Sequence, residues 1–162
     1  MRKTLFSLLV LVLALPGCQI REGDDGPTAP SSADLTITVV PNPLRLLVTC
    51  PPGNAYCFGS LDATVTLQET AGVGGRVEYC DVAIRNVTLS RTETTVRLAA
   101  EWFRAQAGTD RIEANGRLSV RPVVEGYPWL AGARPVIEIL LDLQFQDDRG
   151  NTVRESLRVP VT

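Results

Sequence analysis

The sequence predicts one all-β domain over residues 34–162, built as a sandwich of about seven strands. Apolar and polar residues alternate with a period of two along most of this region, which is typical of strands with one buried face. Helical periodicity is almost absent, and clusters of Gly, Asp and Asn separate the alternating segments as turns do. The region is long enough to enclose one hydrophobic core.

The first seventeen residues predict a signal peptide. Arg2 and Lys3 precede an apolar run over residues 5–15, and the small residue Gly17 follows it. A helix of that run is roughly 16 Å long, which is short of the ~30 Å hydrocarbon core of a bilayer. The segment therefore predicts export and not a stable membrane span.

Residues 15–18, Leu-Pro-Gly-Cys, resemble the lipobox of bacterial lipoproteins. The resemblance implies cleavage before Cys18 and fatty acyl chains such as palmitate attached at that cysteine. Two or more chains hold a protein stably on a membrane. Gln19 is not the aspartate that marks inner-membrane retention in many two-membrane bacteria. We therefore expect a lipid-anchored protein of the cell envelope, at the outer membrane where two membranes exist.

Residues 18–33 predict the lipidated cysteine followed by a disordered linker. The segment is rich in Gly, Pro, Ser and Asp and has few large apolar side chains. Such a composition buries too little surface to offset the entropy of ordering the chain. We expect a tether that holds the domain away from the lipid headgroups.

Charge and composition exclude several functions for the exported chain. The full sequence has 16 basic and 18 acidic residues, and removing Arg2 and Lys3 leaves 14 against 18, a net charge of −4. An acidic domain is not suited to coating nucleic acid, so we expect no nucleic-acid partner. Histidine is absent and Lys3 is the only lysine. We therefore expect no enzyme, cofactor or metal site.

The strands follow in order along the domain. The first ends at Pro41 and Pro43 because proline cannot donate to a sheet ladder, and the next segment can continue on a partner sheet. A shift of one residue in the alternation predicts a bulge near Arg85 or Asn86. The last two segments, joined by Asp, Arg, Gly and Asn, predict a hairpin. The alternating segments cover residues 35–39, 44–48, 63–68, 76–89, 94–100, 111–124, 137–146 and 153–161.

The turn segments carry a resemblance to a known class of domain. Residues 69–75, 105–111 and 147–151 resemble turns in uncharacterised immunoglobulin-like or fibronectin-like domains of bacterial envelope lipoproteins. The resemblance spans most of residues 34–162 and implies a single immunoglobulin-like β-sandwich. It implies no activity, because this fold serves many unrelated functions.

Three cysteines remain once Cys18 is lipidated. Cys50 and Cys57 bracket a segment rich in turn residues, so in an oxidising compartment we predict a disulfide between them. Cys80 lies on the predicted inward face of its strand. It is then a buried core residue, a partner for one of the other two cysteines, or a reactive thiol.

Tyr127 and Trp129 are the best candidates for a binding site. They stand in a segment with Gly126 and Pro128, so we predict a loop that projects aromatic side chains for stacking on a sugar or a protein. The alternative is that Trp129 caps the open end of the sandwich. Trp102 and Phe103 are a similar pair near a turn, and we expect one or the other to be part of the core.

The expected function is interaction and not catalysis. The first hypothesis is contact with an envelope protein or glycan through the loop with Tyr127 and Trp129. The alternative is a structural or assembly accessory of an envelope complex that acts through an exposed strand edge, with the proline-bounded first strand as the edge to test.

Overall fold

A computed structural model describes residues 30–162. It contains eleven strands and one helix, so the all-β prediction is confirmed. The signal peptide, Cys18 and most of the linker lie outside the described residues. The elements are β1 Leu35–Val40, β2 Leu47–Thr49, β3 Tyr56–Asp62, β4 Thr64–Glu69, β5 Gly75–Asn86, β6 Arg91–Ala99, α1 Ala100–Ala107, β7 Arg111–Ile112, β8 Arg117–Val120, β9 Val123–Leu130, β10 Ile137–Asp147 and β11 Thr152–Pro160.

The strands form three antiparallel sheets. The first sheet has the order β1-β4-β8, the second β2-β3-β9, and the third β11-β10-β5-β6 with β7 paired to the end of β5. The prediction of about seven strands undercounts them. One reason is that two long paths are each interrupted: only Ala63 separates β3 from β4, and only Arg121 and Pro122 separate β8 from β9.

Inward faces of all three sheets meet in one core, which follows the alternation in the sequence. Along β10, for example, Ile137, Ile139, Leu141, Leu143 and Phe145 are buried. The predicted hairpin is confirmed, because β10 and β11 pair continuously in an antiparallel register. The predicted bulge is also present, as a register shift between β5 and β6.

The chain changes sheets after β1. As predicted, β1 ends before Pro41, and the next residues continue on the partner sheet. Leu44 donates its N–H to the carbonyl of Pro160 at 2.9 Å, and Leu46 donates to Thr162 at 2.9 Å. This short parallel pairing with the end of β11 links the first and third sheets.

Helix α1 was not predicted. It has eight residues, too few to establish a helical period in an otherwise alternating sequence. Its Phe103 is 2% exposed and contacts Trp102 edge to face, with the ring centroids 5.2 Å apart. Gly108 ends the helix with φ 77°, a conformation that glycine adopts readily. The helix thus joins β6 to β7, and Phe103 is the residue of the aromatic pair that is buried in the core, with Trp102 partly buried against it.

No helix between residues 30 and 162 is long and apolar enough to cross a membrane.

Candidate functional site

A groove opens between β6 and β9 of the described domain, and we call it the β6–β9 groove. Its volume is about 480 Å³. Val82 and Ile84 of β5, together with Val124 of β9, contribute apolar surface to it. Val82 and Ile84 belong to the buried core. The groove is therefore an opening through which solvent reaches the edge of the hydrophobic core.

Apolar side chains on both walls of the groove are exposed to water. Val96 of β6 lies opposite Val82 in the strand register, so both side chains face the groove. Val96 is 54% exposed, and Val123 of β9 is 57% exposed. Within residues 30–162, β6 pairs with β5 alone, which leaves its other edge without a neighbouring strand. The alternation over residues 94–100 places Val96 on one face with Thr94 and Leu98, but it does not show that this face is left uncovered.

The polar end of the groove is organised by Glu93. Tyr127 donates its hydroxyl to Oε2 of Glu93 at 2.7 Å, and Asn86 donates Nδ2 to Oε1 at 3.0 Å. Arg91 also contacts this carboxylate, at 3.4 Å. Residue type and spacing do not identify Glu93, because its role depends on a tyrosine 34 residues away.

A bulge gives Glu93 its position. Thr94 pairs with Ile84 and Thr92 pairs with Arg85, so Glu93 is the extra residue of β6 at the register shift. The predicted bulge therefore lies at the right place in β5, and its extra residue is contributed by β6.

The Tyr127–Glu93 pair is a fixed charge and not a proton-transfer pair at neutral pH. Burial first, and then the hydrogen bond to Glu93, raise the pKa of Tyr127 to about 12. The hydrogen bond from Tyr127 outweighs the effect of burial and holds the pKa of Glu93 below its usual value. The tyrosine thus stays protonated and the glutamate stays ionised near pH 7. This arrangement presents a held negative charge at the groove.

The predicted aromatic loop is wrong. Tyr127 and Trp129 lie in β9, where they are 7% and 9% exposed, and neither projects from a loop. A Cβ atom on Gly59 of the neighbouring β3 would lie 2.8 Å from the Trp129 ring, so the ring packs over that glycine. The spacing of two residues between Tyr127 and Trp129 was the feature of the sequence that could have indicated a strand. Tyr127 still borders the β6–β9 groove, whereas Trp129 belongs to the core.

The predicted disulfide is confirmed. Cys50 and Cys57 are bonded, with their Cα atoms 4.3 Å apart, and they close the hairpin formed by β2 and β3. Cys80 is a free cysteine in the core, 5% exposed. Burial first, and then Asp81 and Asp142, raise the pKa of the Cys80 thiol to about 12. Of the three alternatives for Cys80, the buried core residue is the one observed.

Thiol counting tests this assignment. In the Cys18→Ala protein without reductant, we expect alkylation to label no thiol in the folded state and one thiol, Cys80, after denaturation. Replacing Cys50 and Cys57 together by alanine should lower the free energy of unfolding by about 2.5 kcal/mol, because the bond closes a loop of eight residues in the unfolded chain. Labelling of three thiols in the denatured, unreduced protein, or labelling of a cysteine other than Cys80, would contradict the assignment.

A buried carboxylate, that of Glu69, lies at the C-terminal end of β4. Glu69 is 0% exposed. Its Oε1 accepts backbone N–H groups from Ala71 at 2.7 Å and Asp34 at 3.4 Å, and its Oε2 accepts those of Gly72 at 2.9 Å and Asn115 at 2.7 Å. One side chain therefore connects the start of β1, the β4–β5 turn and the β7–β8 turn.

A second buried carboxylate, Asp147, joins the β10–β11 turn to the start of the described chain. Its Oδ2 accepts the backbone N–H of Ala33 at 3.1 Å and Nδ2 of Asn151 at 2.9 Å. Its Oδ1 accepts the backbone N–H groups of Arg149 at 3.0 Å and Asn151 at 2.8 Å. Asn151 also donates to the carbonyl of Ser31. These contacts fix where the chain enters the domain.

Because of both carboxylates, Glu69 and Asp147, we expect the domain to lose stability in acid. Burial alone would raise the pKa of each, but hydrogen bonds, chiefly from Asn115 to Glu69 and from Asn151 to Asp147, outweigh it and hold both pKa values below normal. The unfolded chain, with pKa values of about 4.3 and 3.9, therefore binds protons first as the pH falls. We expect the free energy of unfolding to be steady from about pH 7 to pH 5 and to fall below about pH 4.5.

Urea unfolding between pH 7 and pH 3 measures this dependence. Glu69→Gln should be less stable at pH 7 and should lose less on acidification, because one of the two groups no longer titrates. An increase in stability from pH 5 to pH 3 would contradict the prediction.

Comparison with known proteins gives a fold but no family. No protein family matches the sequence, and no curated protein matches it. A Bordetella pertussis protein described as ApaA superposes with a TM-score of 0.51 at 14% identity, over 80% of this chain and 94% of that one. The structural genomics target SoR45 gives 0.49 at 12% identity, over 79% and 86%. The likeness to the ApaA protein shows a shared fold and nothing about function.

A third solved structure is at odds with two predictions. It is the alkylpurine DNA glycosylase AlkC of Pseudomonas fluorescens bound to DNA with an abasic site analogue. The match covers 83% of this chain but 32% of that one, at 14% identity and a TM-score of 0.39. This likeness does not assign DNA glycosylase activity or DNA binding to this chain. The predictions that the domain is not an enzyme and has no nucleic-acid partner are withdrawn, and the proposed function rests on neither.

Proposed function

We propose that this protein is a lipid-anchored cell-envelope protein whose immunoglobulin-like domain binds a partner protein at the β6–β9 groove. In this proposal, residues 1–17 are removed as a signal peptide and Cys18 carries the lipid. Residues 18–33 are the linker, and residues 34–162 are the interaction domain. The proposal combines the lipobox resemblance of the sequence with the open edge of the third sheet.

We infer that the eleven strands belong to a seven-strand sandwich. Counting β3 with β4, and β8 with β9, as single bent strands leaves seven main strands beside the short β2 and β7. One layer then contains β1, the β3–β4 path and the β8–β9 path, and the other contains β11, β10, β5 and β6. A first strand that pairs in one layer and then continues beside the last strand of the other supports this assignment.

The entry point of the chain supports a tethered domain. Arg149 donates a hydrogen bond to the carbonyl of Pro30, and Ala33 is held by Asp147. The twelve peptide units between Cys18 and Pro30 span at most about 40 Å when fully extended. A lipid on Cys18 therefore keeps the β10–β11 turn within that distance of the membrane surface.

The single observation that carries the interaction role is the unpaired edge of β6 beside an apolar groove. Exposed sheet edges pair readily with other chains, and natural proteins usually protect them. The β1 edge that the sequence favoured is shorter, at six residues against nine, and every second side chain of β1 is buried. The β6 edge is therefore the better docking surface, and a protein strand fits it better than a glycan.

Crosslinking in native membranes tests the proposal. A photoactivatable amino acid placed at Thr95 of β6 should give one discrete protein adduct. The same residue at Thr152, exposed on the opposite edge strand β11, should not. Cys18→Ala should abolish labelling with an alkyne fatty acid and weaken the Thr95 adduct. Equal adducts at both positions, or none at Thr95, would contradict the proposal.

A further inference from the structure

The geometry of the β6–β9 groove points to one kind of occupant, and this inference rests on the proposed function. We infer that a partner protein adds an extended segment as a new strand along β6. Aliphatic side chains at every second position of that segment enter the groove, and a lysine or arginine faces its acidic end.

The backbone of β6 is suited to strand addition. It is an edge strand of nine residues that contains no proline or glycine, and beyond the bulge at Glu93 its unpaired side offers a row of N–H and C=O groups from Thr94 to Ala99. Residues Arg91–Arg97 are all exposed. Main-chain hydrogen bonds to such an edge give affinity, and pockets for alternate side chains give specificity.

Two of the three charged side chains of β6 are held away from its open edge. Arg97 is bound bidentately by Asp81, at 2.8 and 2.7 Å, and its guanidinium lies 3.9 Å above the ring of Tyr79. Glu93 is held by Tyr127 at the groove. Edge charges that face an incoming strand discourage pairing, but these two are engaged by neighbouring residues of the domain.

The groove matches the spacing of an added strand. Thr94, Val96 and Leu98 border it from β6, and their alternation covers about 13 Å along the strand. Side chains of a neighbouring strand recur at the same spacing on the same face, so two or three of them reach the groove. Its volume of about 480 Å³ lies within the range of roughly 300 to 1,000 Å³ for ligand sites.

Charge selects the polar part of the occupant. The two charged residues that line the groove, Glu93 and Glu125, are both acidic. Arg91 lies 3.4 Å from Glu93 and offsets part of its charge, whereas Glu125 is exposed and has no ion pair within residues 30–162. A basic side chain on the incoming segment therefore complements Glu125.

Selection from a display library of random nine-residue segments tests the inference without a known partner. The bait is the full chain with Cys18→Ala. Enriched segments should alternate aliphatic residues with polar ones and contain lysine or arginine. The most enriched peptide should bind Val96→Asp at least tenfold more weakly than Thr95→Asp, the matched change on the opposite face of β6. Glu125→Gln should weaken binding and reduce its dependence on salt.

Hydrogen exchange identifies the mode of binding. The amides of β6 should exchange more slowly when the peptide is bound, because they gain strand partners. Enrichment of segments with helical spacing, equal weakening by the two aspartate variants, or unchanged exchange in β6 would each overturn the inference. A discrete Thr95 crosslink in membranes together with such a result would leave the proposed function standing. Peptide binding as expected, but without any crosslink in membranes, would support strand addition at β6 and contradict the proposed function.

Discussion

Glu69→Ala should lower the free energy of unfolding by about 3 kcal/mol. The change removes a fully buried carboxylate and leaves four backbone N–H groups without their acceptor. Hydrogen bonds to a charged group contribute about 1.5 to 3 kcal/mol each, and partial entry of water offsets part of the total loss. For a domain of this size, the expected decrease in melting temperature is roughly 10 °C.

Denaturant and thermal unfolding measure this effect, and Glu101→Ala is the matched control. The Glu101 side chain is 76% exposed and forms only a surface ion pair with Arg104, so its loss should change stability by less than about 0.5 kcal/mol. A decrease below about 1 kcal/mol for Glu69→Ala would show that the carboxylate is not essential to the junction of the three turns.

Gly75→Ala should also destabilise the domain, by about 3 kcal/mol. A Cβ atom at this position would lie 2.3 Å from the carbonyl oxygen of Gln146 and 2.6 Å from the ring of Phe145. Phe145 is 0% exposed and lies in the middle of the core. Because the nearest atom belongs to the backbone of β10, the clash can be relieved only by moving one strand away from the other.

Gly59→Ala provides the comparison. The three atoms nearest to its Cβ atom would all belong to side chains, with Leu46 at 2.6 Å and Trp129 at 2.8 Å, and side chains can shift more easily than paired backbone. We expect a smaller loss of stability and a change in tryptophan fluorescence as the Trp129 ring moves. Equal stability of the two glycine variants would show that the close approach of β5 and β10 is not the cause of the stability loss in Gly75→Ala.

The alternation in the sequence was sufficient to predict the strands whose pairing is local. The β10–β11 hairpin and the Cys50–Cys57 bridge connect segments separated by short turns, so residue type and spacing specify them. Helix α1 was missed because eight residues provide only about two turns of periodicity.

The candidate site depended on contacts between distant segments, which residue type does not reveal. Gly126 and Pro128 have the composition of a loop. However, Gly59 leaves room for Trp129 in the neighbouring strand, and Glu93 accepts the hydroxyl of Tyr127. Whether an inward-facing residue such as Val96 is covered depends on where the opposite sheet ends. That boundary is set by the packing of whole sheets, so the groove could not be predicted from alternation.

The contacts of Asp147 with the start of the chain also determine how the domain responds to mechanical load. A pull on the chain ahead of Pro30 reaches the hydrogen bonds made by Arg149, Asn151 and Asp147 before it reaches the ladder between β1 and β4. These side-chain hydrogen bonds bear the applied force first, so the strand ladder bears force only after they break.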